Sequence, residues 1–164
     1  MNNIIDKASR DIFSFATSSK DRNITITVRL YEIYNEKIID LSQPREGMYD
    51  AFQLRGLKLL SGEDGMVQIK GLNAVTVNNV QDILNVLEMG RKNRQVAETK
   101  ANSHSSRSHA ILEVSINNEP KSFSDGATAL KSILYFVDLA GSESLDNTGP
   151  NKSRQREGAN IKKR

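Results

Sequence analysis

The chain contains neither cysteine nor tryptophan among its 164 residues. Without cysteine, disulfides, thiolate-bound zinc and thiol catalysis are excluded, and an intracellular protein is the expectation. No apolar core of signal-peptide length follows the N-terminal Met1-Asn2-Asn3-Ile4-Ile5-Asp6-Lys7. Long hydrophobic runs are missing too. The longest, Ile133 to Val137, falls far short of the ~20 residues that cross a bilayer. We therefore expect a soluble chain with no membrane partner. Aromatic residues are sparse at 5%. None lies within the basic stretch 152–164, so the base-stacking platform of a nucleic-acid binder is absent there and no nucleic-acid partner is expected.

What remains is an ordinary globular balance, 37% hydrophobic and 26% charged, on a chain long enough to bury a core as one domain. The net charge of +3 is unevenly spread. Over 152–164 the basic residues Lys152, Arg154, Arg156, Lys162, Lys163 and Arg164 face Glu157 alone. Such an end is either a solvated tail or an attraction for an acidic surface.

Ile4, Ile5, Ala8, Ile12 and Phe15 recur at helical spacing and predict a helix over 4–15. Ile24, Ile26, Val28 and Leu30 alternate with polar residues, which predicts a strand continuing through Glu36. Ile38 to Leu41 extends that segment until Pro44 breaks it. Over 54–77, glycines punctuate short apolar pieces and suggest hairpins, with Leu57, Leu59, Val67, Ile69, Val75 and Val77 in strands. Asn78 or Asn79 can cap the next helix. There Val80, Ile83, Leu84 and Leu87 fall on one face, and the helix should run past Gly90 toward Thr99. A strand over 110–116, a loop over 117–127 and a strand ending at Asp138 complete a mixed α/β sheet flanked by helices. The continuously apolar Ile133–Val137 reads as a central strand covered on both faces.

Two polar segments carry the candidate chemistry. The first is Asn102-Ser103-His104-Ser105-Ser106-Arg107-Ser108-His109. A packed core has no use for that composition, whereas a loop surrounding an anion does. Ser105 and Ser106 offer hydroxyls to phosphate oxygens or a metal's water shell, Arg107 offers a planar fork, and Asn102 offers an amide donor. The competing reading is a serine-rich turn whose hydroxyls cap its own backbone. His104 and His109 lack metal-ligand spacing with any carboxylate and read as loop hydrogen-bonders. The second segment is Asp138-Leu139-Ala140-Gly141-Ser142-Glu143. Ligands of open α/β sheets sit beyond the strands' carboxyl ends. An aspartate there can hold a Mg²⁺-bound water, and Gly141 lets the backbone offer its N–H to a phosphate. D-x-x-G alone is equally a structural strand-to-turn feature.

Taken together, the segments resemble the kinesin motor domain, whose switch I reads N-x-x-S-S-R-S-H and whose switch II reads D-L-A-G-S-E. Both occur here without a mismatch, at 102–109 and 138–143. Gly90-x-x-x-Arg94-x-x-Ala97-x-Thr99, the strand Leu30-Tyr31-Glu32-Ile33-Tyr34-Asn35-Glu36 and the helix from Ile5 are similar to the family as well. Arg94–Thr99 and Asn151–Glu157 look similar to BimC-type bipolar mitotic kinesins. The resemblance implies a microtubule motor that hydrolyses ATP with Mg²⁺ and works in the cytoplasm on the microtubule cytoskeleton or spindle. It implies that Ser105 and Ser106 sense the γ-phosphate and Mg²⁺, that Asp138 holds the metal's water shell, and that Gly141 donates to the γ-phosphate. Arg107 and Glu143 would form the salt bridge closing the switches. Lys58, Lys70 and the 152–164 stretch are candidate tubulin contacts, with exposed strand lysines the alternative for the first two.

No G-x-x-x-x-G-K-[ST] loop occurs in the 164 residues. The expectation is therefore a partial motor domain over 1–164, lacking the P-loop strand and the C-terminal motor elements and inactive alone. A non-hydrolysing, kinesin-derived microtubule-binding module is the alternative. The strand at 133–137, deprived of a P-loop neighbour, would then become an apolar sheet edge.

Overall fold

The computed structural model describes residues 2–43, 56–61, 67–98, 107–122 and 128–141. Helix α1, Asn2–Ser18, is followed by β1 (Arg22–Tyr34), β2 (Lys37–Asp40), β3 (Lys58–Ser61), β4 (Val67–Lys70) and β5 (Val75–Val77). Helix α2, Val80–Glu98, then leads to β6 (His109–Pro120) and β7 (Leu130–Asp138). The α/β class expected from the sequence holds. The main sheet has the order β2-β1-β6-β7, with β5 sharing β1's outer edge beside β2. Each ladder between described strands is antiparallel.

Alternation along β1 and β6 sorts the two faces. Ile26, Val28 and Leu30 lie opposite Ile116, Val114 and Leu112. Together with Ile5 of α1 and Ile83 and Val86 of α2 they form the principal core. Burying each such side chain stabilises the fold by about 1.5–3 kcal/mol. On the other face Tyr31, Ile38 and Ile111 gather Leu57, Ile69 and Leu72, so the β3–β4 hairpin packs there through Ile69. The same face carries an in-register polar row, Arg29–Glu113–Tyr135. Arg29 pairs with the Glu113 carboxylate, which also accepts from Ser115 Oγ at 3.2 Å. Burial, aided by the Glu113 charge, raises the phenol pKa of both Tyr31 and Tyr135.

Helix α1 turns a different stripe inward from the one its apolar residues suggest. Ile5 and Ser9 are buried, with Ile12, Phe13 and Ala16 packed beside them. Ile4 and Phe15 are exposed. Ser9 is tolerated inside because its Oγ donates to the Ile5 carbonyl at 2.7 Å. Helix α2 begins as expected. Asn79 Oδ1 accepts the Asp82 N–H at 3.0 Å, and Asp82 reaches back to the Asn78 N–H at 2.8 Å. Its buried stripe is Ile83, Val86, Gly90 and Asn93, rotated from the predicted Val80–Ile83–Leu84–Leu87 face. Gly90 sets how closely the helix approaches the sheet. A Cβ there would lie 2.3 Å from Leu30 Cδ2.

Other differences from the sequence reading have local causes. Strand β1 does not run through Glu36. Asn35 and Glu36 both adopt positive φ (47° and 64°) and turn the chain back into β2, the backbone of a two-residue primed turn. Of the 57–77 pieces, β3 and β4 pair as a hairpin, whereas β5 joins β1 and Leu57 bridges Ile38. Residues 117–120, expected in a loop, extend β6 because β1 supplies partners as far as Arg22. Finally, β7 is not covered on both faces. Among the described residues it ends the strand order, and Leu134, Tyr135 and Val137 are 40%, 52% and 50% exposed.

Candidate functional site

Antiparallel pairing of β6 with β7 decides the geometry of the site. The start of β6 and the end of β7 must lie side by side, and Ala110 is the register partner of Asp138. Ala110 in turn faces Glu32 of β1. Glu32, Ala110 and Asp138 thus form one row across three strands on the helix side of the sheet. The small Ala110 leaves room above it, and Arg94 of α2 occupies that room.

The Arg94 guanidinium gathers the row. Its Nη2 donates to Ser108 Oγ at 3.1 Å, Nη1 lies 3.8 Å from Asp138 Oδ2, and Nε lies 3.7 Å from Glu32 Oε2. The last two are ion-pair separations rather than hydrogen bonds. Glu32 is fully buried, Arg94 is 18% exposed and Asp138 is 54% exposed. The inner carboxylate therefore fixes the arginine, and the outer one remains available to solvent. A second tie joins the same two strand ends. His109 Nδ1 accepts the Ala140 N–H at 3.1 Å. The loop-hydrogen-bonding role expected of His109 is thereby realised, and it connects one polar segment directly to the other. A cleft of about 650 Å³ opens between α2 and this sheet end, lined by Leu84, Leu87, Arg91, Arg94, Ala110 and Asp138 among others.

Of the residues singled out in the sequence, Arg107, Asp138 and Gly141 lie within the described residues, at this one end of the sheet. Asn102, Ser105, Ser106 and Glu143 lie outside the described residues, as does the basic stretch 152–164. Lys58 and Lys70 are register partners on the β3–β4 hairpin and both are exposed. Glu32 was missed as a site residue, and Arg94 was seen only as part of a spaced pattern. The sequence places Glu32 at the end of the Ile24–Ile26–Val28–Leu30 alternation, a position that a solvated glutamate would occupy equally well.

A sheet that brings the start of β6 and the end of β7 to one end, beneath a helix whose Arg94 contacts both, defines an α/β protein with a polar cleft at that end. The kinesin motor domain family model matches residues 1–164. Kinesin-like protein KIN-7L of Oryza sativa subsp. japonica is 37% identical over 161 residues, covering 98% of this chain and 24% of that protein. Kinesin-like protein KIN-5A of Arabidopsis thaliana is 35% identical over 162 residues, covering 98% of the chain and 16% of the relative. The solved structure of a fast kinesin superposes with a TM-score of 0.78 at 30% identity, covering 95% of this chain and 42% of that one. The chain belongs to the kinesin motor domain family. It spans a quarter or less of the length of these curated relatives, and 37% against 35% identity does not separate one named subfamily from the other.

Proposed function

We propose that the chain is the central, switch-bearing part of a motor domain that couples ATP hydrolysis to movement along microtubules. The observation that carries this reading is the junction of the two polar segments in a kinesin-family chain: Ala110 beside Asp138, with His109 holding the Ala140 N–H. Phosphoryl transfer asks little covalent chemistry of a protein and much positioning and charge stabilisation. Two segments whose strand-proximal ends lie side by side are suited to both.

The residues present fit Mg·ATP. Asp138 is a half-exposed carboxylate at a strand's carboxyl end, held beside a guanidinium, which suits a hydrated cation that keeps most of its water. Ser106 and Asp138 would hold the metal, the latter through water. Asn102, Ser105, Ser106 and Gly141 would face the phosphates. The bound metal supplies neutralisation of phosphate charge. Arg107 and Glu143 would latch the two loops, ordering both at once. Lys58 and Lys70, adjacent on an exposed hairpin, and the basic 152–164 stretch suit the acidic surface of tubulin, which implies residence on the microtubule cytoskeleton. Similarity to BimC-type sequences at 94–99 and 151–157 supports a mitotic, spindle-associated assignment within the family.

The test is ATP turnover, with and without microtubules, by the full-length natural protein that carries these residues. Microtubule-stimulated turnover is expected. Glu143→Ala should abolish the stimulated rate while leaving the fold intact, because breaking a desolvated ion pair from one side costs about 3–5 kcal/mol in the closed state alone. Unchanged turnover by that variant would refute the latch. Salt-sensitive, nucleotide-insensitive microtubule binding without turnover would replace the motor reading with a non-hydrolysing module. The 164-residue polypeptide by itself, which contains no glycine-rich phosphate loop, should show no micromolar Mg·ATP affinity in a calorimetric titration.

A further inference from the structure

Between β2 and β5 the chain makes an excursion that carries the β3–β4 hairpin, and its outgoing and returning limbs are fastened at one root. Asp40 Oδ1 accepts the Ser42 N–H and Ser42 Oγ, each at 2.7 Å, on the outgoing limb. Its Oδ2 accepts the Asn73 N–H at 2.9 Å on the returning limb. Asn73 Nδ2 closes the ring by donating to Ser42 Oγ at 3.2 Å. Helix α2 then grips this root with one side chain. Asn93, 4% exposed, donates from Nδ2 to the Leu41 carbonyl at 2.9 Å and to the Gln43 carbonyl at 2.7 Å. Both amide hydrogens are thereby used on carbonyls two residues apart, a two-point hold that water does not replace in a buried site.

The next residue along α2 is Arg94, which contacts Ser108, Asp138 and Glu32. Adjacent residues of one helix therefore hold the root of the hairpin excursion and the junction of the two polar segments. We propose that Asn93 is a positioning residue that couples the hairpin lobe to that junction. A filament seated on the hairpin moves the root, the root moves Asn93, and Arg94 carries the shift to Asp138 and Ser108. This coupling deepens the motor reading and rests on it for the identity of the hairpin's partner. The mechanical link itself does not depend on that identity.

Asn93→Ala in the full-length protein tests it, with Val86→Ala as a stability-matched control in the same helix. Coupling free energies between sites correspond to about 5–150-fold effects. The ratio of microtubule-stimulated to basal turnover should fall at least about fivefold in Asn93→Ala, with basal turnover within about twofold of wild type. Val86→Ala at a similar loss of Tm should keep the ratio. Hydrogen exchange supplies a readout that needs no turnover. The Ala140 amide should exchange about tenfold faster in Asn93→Ala and not in Val86→Ala. An unchanged ratio together with unchanged Ala140 exchange, or equal effects from both variants, would overturn the coupling. Absence of stimulated turnover in the wild type would instead sink the motor reading, and faster Ala140 exchange confined to Asn93→Ala would still uphold the link.

Discussion

Arg94 serves two carboxylates in opposite surroundings, and the difference decides what its removal does. Asp138 is half exposed, so its pairing at 3.8 Å is screened and worth at most about 1 kcal/mol. Glu32 is fully buried, and taking a guanidinium away from a buried carboxylate is costly. Arg94→Ala should therefore destabilise the chain by about 3–5 kcal/mol, measured by urea unfolding, with Glu32→Gln in the same background recovering part of the loss. If the single variant unfolds like the wild type, Glu32 is not held by this arginine. At this scale the sequence was informative where chemistry is concentrated in a short stretch. Ser108, His109 and Asp138 stood out because their neighbours were unusual. Glu32 did not, since a glutamate in an otherwise amphipathic strand reads as a solvated residue until its strand neighbours are known. The guanidinium beside it comes from α2, beyond the whole hairpin region.

Helix α2 existed in the sequence as a period of apolar residues, but its inward face could not be read correctly. Two of the four residues on the buried stripe, Gly90 and Asn93, contribute no apolar signal. They are inside for other reasons, one to admit Leu30 and the other to satisfy two carbonyls. The apparent face was consequently shifted toward Leu84 and Leu87, which line the cleft beside Arg91 and Arg94. The β1–β2 turn was hidden for a related reason. Glu36 has no preference for the positive φ it adopts, so strand pairing imposes the turn rather than the residue. Close helix–sheet approach at Gly90 is open to measurement. Gly90→Ala would gain up to about 1 kcal/mol of helix propensity, but a Cβ 2.3 Å from Leu30 Cδ2 forces the helix or the side chain to shift, at about 1–3 kcal/mol. A net loss in Tm is expected, and in a Leu30→Ala background, itself destabilised by the lost core side chain, the additional loss caused by Gly90→Ala should shrink. A Gly90→Ala variant more stable than wild type would show that α2 is free to move off the sheet.

Over the whole molecule, strand order explains both the convergence of the polar segments and a liability. Because β6 and β7 run antiparallel, any polar residues at the start of one and the end of the other share an end of the sheet. The motifs alone suggested that they met, and the ladder supplies the reason. The same order leaves β7 outermost among the described residues. Its apolar run reads in isolation as a strand covered on both faces, since sequence pattern reports what a strand is suited to and not what lies beside it. Leu130, Leu134, Tyr135 and Val137 are instead between 40% and 58% exposed. An edge of this kind, apolar on both sides, templates pairing with another copy. The 164-residue polypeptide should therefore self-associate, its weight-average mass in sedimentation velocity rising with concentration. Leu134→Lys combined with Val137→Lys places a charge on each face of the edge. Both side chains are 40% or more exposed, so the pair should cost little stability, within about 0.5 kcal/mol at each site, while suppressing association. A wild-type chain that stays monomeric at all concentrations and melts cooperatively would mean that this edge is protected by contacts outside the described residues, and the two lysines would then change nothing in its hydrodynamics.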